Sequence, residues 1–268
     1  MKQHHPGFTL IEMLVTITII ATLGTLTFAG FRSAREKTKT IVEINAARNL
    51  ITGYLGYAAE HNGQVLAGYQ TDPTVTNLEG ELLEFPINAR YPWRLAPSVP
   101  SVKGVLVFNG TESILDLKDR DYRVSASPNL GLNATLVGGH FGSGSPLPPT
   151  QRIVSSYGKF YLSQLTESDD PAKLIVFASA RSGKNQPGYF EVRPPNLTGR
   201  VWSSKSFTPE ADASAHGFVD FRWGGKAVVA MLGGNVELKT DEDLRDMRRW
   251  SHQAARANDG DFMISKAR

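Results

Sequence analysis

The chain is predicted to be an α+β protein: a long N-terminal helix, transmembrane in its first half and an amphipathic stem in its second, packed on a mainly antiparallel sheet domain with a C-terminal helix. Three observations predict it. Residues 8–31 form a run of 24 in which Glu12 is the only formal charge, long enough as a helix to cross a hydrocarbon core of about 30 Å. Residues 32–60 lack proline, and Ile41, Ile44, Ala47, Ile51, Tyr54, Leu55 and Ala58 recur near three-and-four spacing, the period of one helical face. Beyond Gly63, short apolar runs are broken by Gly, Pro, Asn and Ser, the texture of strands and turns.

Taken in order, the two helical segments join into a rod of roughly 50 residues, about 75 Å long at 1.5 Å per residue, which Asn62-Gly63 ends. Gly24, Gly30, Gly53 and Gly56 each lower helix propensity by up to about 1 kcal/mol relative to Ala, so local bending or melting is expected there. Residues 66–100 are rich in turns and include Tyr91-Pro92-Trp93-Arg94-Leu95, a segment suited to wrapping the stem. Strands are expected at 102–108, 173–179, 189–193, 218–222, 226–232 and 236–239. The last two make the clearest hairpin, turning through Gly233-Gly234-Asn235. Thr240 has the character of an N-cap followed by acidic residues, starting a helix through Leu244, Met247, Trp250 and Ala254. The chain is thus expected to end helical, with no second span and no internal repeat.

Composition is that of an ordinary folded chain: 268 residues, 41% hydrophobic, 21% charged, net charge +3. No aromatic-interleaved basic block marks a nucleic-acid footprint, so nucleic acid is an unsupported partner. The 237 residues after Phe31 suffice for a stem and one globular domain. Zero cysteines exclude disulfides, thiolate zinc sites and cysteine nucleophiles.

Glu12 needs a partner, because an ionisable group inside a span costs roughly 2.5 to 3.5 kcal/mol on insertion scales. No cation lies within the segment. Cutting the chain between Gly7 and Phe8 would create an ammonium four residues before Glu12, which a neighbouring subunit could present to this carboxylate. Gly7-Phe8-Thr9-Leu10-Ile11-Glu12 and the apolar run after it resemble the prepilin cleavage and methylation signal of type IV pilins and type II secretion pseudopilins. An ordinary secretory signal differs, having a short apolar region before a small-residue cleavage site.

The resemblance implies a prepilin peptidase that cuts after Gly7 and N-methylates Phe8, and a Glu12 that faces the amino terminus of a neighbouring subunit. It implies a leader at 1–7, the transmembrane half of the helix at 8–31, the stem at 32–61 and a globular pilin-like domain at 62–268. The expected role is a structural subunit of a type IV pilus-like or type II secretion pseudopilus filament, without enzymatic activity, cofactor or metal. Its expected partners are the prepilin peptidase, other pilin or pseudopilin subunits, inner-membrane assembly machinery and membrane lipid. The expected location is the bacterial inner membrane, single-pass with the C-terminal domain outside the cytoplasm, then an extracytoplasmic filament. That orientation comes from the resemblance, since Arg32, Arg35, Lys37 and Lys39 after the span outnumber Lys2 before it and would alone place the C-terminal side in the cytoplasm.

Other constellations carry less. Residues around 218–250 resemble pseudopilin-like proteins that end in a His-x9-Asp-Gly pattern, but Trp223 stands in the His place and Gly233 in the Asp place. Ser143 or Ser145, His140 or His216, and Asp212 or Asp220 could be assembled into a hydrolase triad, yet no Gly-x-Ser-x-Gly elbow is present. Asp169, Asp170, Asp212 and Asp220 could offer oxygens to calcium, while Asp119 with Asp121, Asp241 with Asp243 and Asp259 with Asp261 lack the remaining ligands of a calcium loop. The alternatives to the structural-subunit reading are a minor or tip subunit binding cargo, a surface or DNA, and a membrane-tethered binding protein or hydrolase.

Overall fold

The computed structural model describes residues 9–140, 151–184 and 186–266, without the side chains of Leu26, Ala29, Arg32, Ser33 and residues 151–153. The chain divides into two compact units, Met1–Ile41 and Val42–Arg268. One helix, α1 (Leu10–Glu60), supplies every described residue of the first except Thr9 and opens the second. It is unbroken at Gly24, Gly30, Gly53 and Gly56, so the melting expected there does not occur.

In the first unit α1 carries large apolar side chains that remain uncovered, among them Ile11 (75% exposed), Ile20 (68%) and Phe31 (68%). The hydroxyls of Thr16, Thr18, Thr25 and Thr27 each donate to a carbonyl three or four residues back, at 2.7–2.9 Å. These threonine hydroxyls are thereby satisfied within the helix itself. Among the described residues no helix is long and apolar enough to cross a membrane.

The second unit is built on the stem part of α1. Ala46, Ala47, Leu50, Ile51, Tyr54 and Ala58 are at most 1% exposed, a stripe at helical spacing that apolar burial drives against the rest of the unit. Helix α1 stops where expected, with Asn62 and Gly63 at φ +55° and +81°. Short helices follow: α2 (Tyr91–Leu95), α3 (Arg120–Ala126) and α4 (Gln151–Tyr157). The 91–95 segment does pack with the stem, Tyr91, Trp93 and Leu95 sharing one core with Leu50, Ile51 and Tyr54.

Strands β1 (Leu130–Leu132), β2 (Ile175–Ser179), β5 (Lys226–Met231) and β6 (Val236–Thr240) form an antiparallel sheet in the order β1-β2-β5-β6, and β3 (Arg181–Gly183) pairs with β4 (Gln186–Pro187). Alternation along β5 sends Val228 and Ala230 into the stem-side core and Ala227, Val229 and Met231 into a second core on the opposite face. Period-two geometry requires this split. A register shift between Ile175 and Phe177 turns Val176 and Phe177 to the same stem side. The second core is closed by Leu244, Met247, Trp250 and Ala254. Asn133 pins the layers together, its amide donating to the carbonyls of Ile175 and Trp250 at 3.0 Å each.

Three strand expectations are corrected. Residues 102–108 curl into a turn, with the Val102 carbonyl accepting from Leu106 and the Val107 carbonyl from Gly104, whose φ is +87°. Residues 189–193 contribute only a parallel bridge from Glu191 to Leu132. Residues 218–222 contribute only a bridge from Val219 to Ala180, because Phe218 sits at φ +65°, outside extended backbone. The hairpin of β5 and β6 is as expected. Thr240 does cap α5, its hydroxyl accepting the Asp243 N–H while the Asp243 carboxylate accepts the Thr240 N–H, but α5 (Asp241–Leu244) lasts one turn. Asp246 and Ser251 then cap a 3₁₀ turn at Met247–Arg249 and α6 (His252–Ala257), so the expected single helix is three pieces, and residues 259–266 after it are not helical.

Gly53 is a contact point in this packing: a Cβ there would sit 2.6 Å from the Ser98 carbonyl oxygen and 2.7 Å from Val99 Cγ1. Gly53→Ala is therefore expected to lower stability by about 1–3 kcal/mol of overpacking, despite a gain of up to about 1 kcal/mol in helix propensity. Thermal unfolding of the purified chain checks the sign, and a higher midpoint for the variant contradicts the close approach.

Candidate functional site

The processing residues Gly7 and Phe8 lie outside the described residues, as do Ser143 and Ser145. Glu12 is described, and it has a partner in its own chain. Thr9, one residue before α1, donates its backbone N–H and its hydroxyl to Glu12 Oε2 at 2.9 and 2.8 Å, and the Glu12 N–H donates to Thr9 Oγ1 at 3.3 Å. This is a reciprocal capping box of the Thr-x-x-Glu kind, with the carboxylate over the positive end of the helix dipole. Both Thr9 donors use Oε2, and Oε1 has no partner among the described residues. Thr9 is the residue that the search for a charged partner missed; its spacing to Glu12 was the available signal.

A second carboxylate on α1 sits in a different environment. Glu43 is fully buried, and Ser179 on β2 donates its hydroxyl to Glu43 Oε1 while accepting the Val228 N–H at 2.9 Å. Arg222 brings Nε to 3.8 Å from Glu43 Oε2 and 3.2 Å from Asp220 Oδ2, and its Nη2 donates to the carbonyls of Asn129 and Ala180. Burial pushes the Glu43 carboxyl above the usual carboxylate range, against the downward pull of Arg222 and Ser179. Burial likewise raises Asp220, opposed by Arg222 and Arg181. The network ties the stem stripe to the sheet by charge as well as by apolar packing.

The remaining candidates do not converge. Asp212 is occupied by its own turn, accepting from the Ser214 N–H at 2.8 Å, and His216 Nε2 lies 3.2 Å from the Lys205 carbonyl. His140 is buried with its ring 4.9 Å from that of Tyr69. Asp169 pairs with Arg256, Asp170 with Lys173, Asp119 with Arg123 and Asp241 with Arg245. Asp243 serves the Thr240 cap, and Asp259 accepts from the Asp261 N–H. Among the described residues no group of three or more His, Asp or Glu is placed to hold a metal ion. Trp223 and Gly233 flank β5 at opposite ends, so they form no joint site. A cavity of about 590 Å³ is lined by Arg181, Phe207, Asp220 and Arg222, among others, and therefore borders the Glu43 network.

Comparison with known proteins adds one match. Residues 3–28 match the family model of the prokaryotic N-terminal methylation motif, the prepilin-type signal of type IV pilins and pseudopilins. No curated protein and no solved structure matches the chain. The motif indicates a precursor of the type IV pilin or pseudopilin type.

The Glu43 network predicts a pH dependence. A folded-state pKa raised above the unfolded value favours the fold below the ordinary carboxylate value of 4.5, and this contribution is lost as pH rises through the raised pKa. Glu43→Gln keeps the Ser179 contact without the charge, so its thermal midpoint relative to the parent chain is expected to rise from pH 4 to pH 8. Arg222→Ala strands a buried carboxylate and is expected to cost about 3–5 kcal/mol at neutral pH. Unfolding curves at both pH values for the three proteins check this; a Glu43→Gln advantage that shrinks towards pH 8 contradicts it.

Proposed function

We propose that this chain is a structural subunit of a type IV pilus-like or type II secretion pseudopilus filament, and a substrate of modification rather than an enzyme. The reading rests above all on residues 7–12, a Gly7-Phe8 junction shortly before Glu12 within the matched methylation motif. Gly7 lets the backbone enter a narrow peptidase site, and Phe8 then provides the amine to be methylated. In the precursor the apolar segment 8–31 anchors the chain in the inner membrane, with the domain that follows outside the cytoplasm.

The geometry at the start of α1 supports an assembly role. The Thr9 cap survives cleavage, because Thr9 remains an internal residue with its amide N–H intact. It holds Oε2 of Glu12 and leaves Oε1 to meet the Phe8 ammonium of a neighbouring subunit. In a low-dielectric surrounding such a pair is far stronger than in water. The threonine hydroxyls folded back on α1 leave the helix surface apolar, as packing in lipid or against other apolar helices requires. The candidate triad residues Asp212, His216 and Asp220 are engaged in turns and ion pairs, in keeping with a non-catalytic role.

N-terminal mass spectrometry of assembled material from the native host is expected to find a chain beginning at N-methylated Phe8; an intact Met1 terminus removes the reading. Glu12→Val is expected to leave the precursor membrane-bound and cleavable but to impair its incorporation into filaments. Thr9→Val, which removes one cap worth about 1 kcal/mol, is expected to give a milder defect of the same kind. Filament yield in shear fractions measures both, and normal incorporation of Glu12→Val contradicts the assigned role.

A further inference from the structure

Of the eight large apolar side chains exposed among the described residues of Val42–Arg268, Val42, Leu238 and Met263 lie apart and five fall in two segments. Leu78, Leu82 and Phe85 are 59%, 69% and 52% exposed, and Leu117 and Tyr122 are 43% and 47%. The two segments that carry them are held together: Asn77 Nδ2 donates to Asp121 Oδ2 at 3.0 Å, and Arg120 pairs with Glu79. The turn that presents the leucines is rigid by construction. Asn77 Oδ1 accepts the N–H groups of Glu79 and Glu81 at 3.1 and 2.9 Å, the Leu83 N–H donates to the Val75 carbonyl, and Gly80 takes the φ of +83° that the turn demands. Apolar side chains held on such a turn lose little ordering entropy on binding, and concentrated exposed apolar surface marks interaction sites.

The rim of the patch is acidic. Residues 77–85 and 112–123 together hold seven carboxylates against three cations, with Glu81, Glu84 and Asp116 exposed. Two such patches would repel one another, so a symmetric patch-to-patch contact is disfavoured. The same chain offers the complement on α1: exposed Arg35 and Lys37, with Lys39, against the single Glu36, and Ile41 at 57% exposure one turn beyond Lys37 on the same face.

We propose that the patch of Leu78, Leu82, Phe85, Leu117 and Tyr122 docks onto the 35–41 stretch of α1 of a neighbouring copy, apolar on apolar and acidic rim on basic side chains. The proposal rests on the filament reading and names a contact within it. Patch and complement are different surfaces, so the contact is heterologous and repeats without closing, as an open filament requires.

The absence of native cysteines makes the test clean. Full-length chains carrying Leu82→Cys and Ile41→Cys are produced singly and together in the native host, and intact filaments are oxidised. A disulfide-linked dimer is expected only when both chains are present. Glu81→Lys with Glu84→Lys in the Leu82→Cys chain is expected to reduce the linked product about tenfold, the change that 1.4 kcal/mol represents, and Arg35→Glu with Lys37→Glu in the other chain to restore it. Linkage of Leu82→Cys chains to each other, or intact filaments without mixed linkage, overturns this contact while leaving the filament reading in place. Parent chains that form no filament overturn both.

Discussion

Uncovered apolar surface on α1 is the constraint from which the remaining features follow. Ile11, Ile20, Phe28 and Phe31 are each more than two-thirds exposed in a single chain, and apolar surface left in water costs on the order of 25 cal/mol per Å². The 46–58 stripe of the same helix solves this problem internally, by burial against the sheet and α2. The first stretch has no such cover of its own, and its threonine hydroxyls are turned inward to the backbone instead of outward to water.

Two carboxylates on that helix illustrate how environment assigns roles. Glu12 lies at the N-terminus, where the dipole and the Thr9 cap favour an anion and one oxygen stays available. Glu43 lies at the junction of stem and sheet, fully buried, where Ser179 and Arg222 offset part of its desolvation and the carboxyl is pushed up. The former keeps one oxygen without a partner among the described residues; the latter joins the stem to the sheet through Ser179 and Arg222. A buried ion-paired group contributes little net stability, but removal of one partner is costly, which makes such a network better suited to specifying one arrangement than to strengthening it.

Much of the fold was legible because its signals are local. The three-and-four spacing of Ala47, Ile51, Tyr54 and Ala58 located the buried stripe, Asn62-Gly63 its end, and Gly233-Gly234 the one clear hairpin. The failures share a cause. Residues 102–108 and 218–222 have strand-like composition but sit beside Gly104 and at Phe218 with positive φ, and Leu130–Leu132 became a strand because β2 was there to pair with it. The apolar period through Leu244, Met247, Trp250 and Ala254 did mark a buried face. Asp246 and Ser251 broke the helix beneath it by capping new turns, a competition that periodicity does not register. At the candidate site, residues 7–12 were recognisable as a contiguous motif, whereas Glu43, Ser179 and Arg222 are far apart in the chain and meet only across the stem-to-sheet packing.

By itself the sequence determined the apolar run after Phe8, the single carboxylate in it, the methylation motif and the amphipathic stem, since each depends on residues within a few turns of one another. Only the tertiary structure decided which strands pair, that Glu43 is buried against Ser179 and Arg222, and that the segments carrying Leu78 and Leu82 and those carrying Leu117 and Tyr122 are joined through Asn77 and Asp121. Those outcomes depend on which distant segments come into contact, and that is set by the burial of the stem stripe rather than by any local pattern.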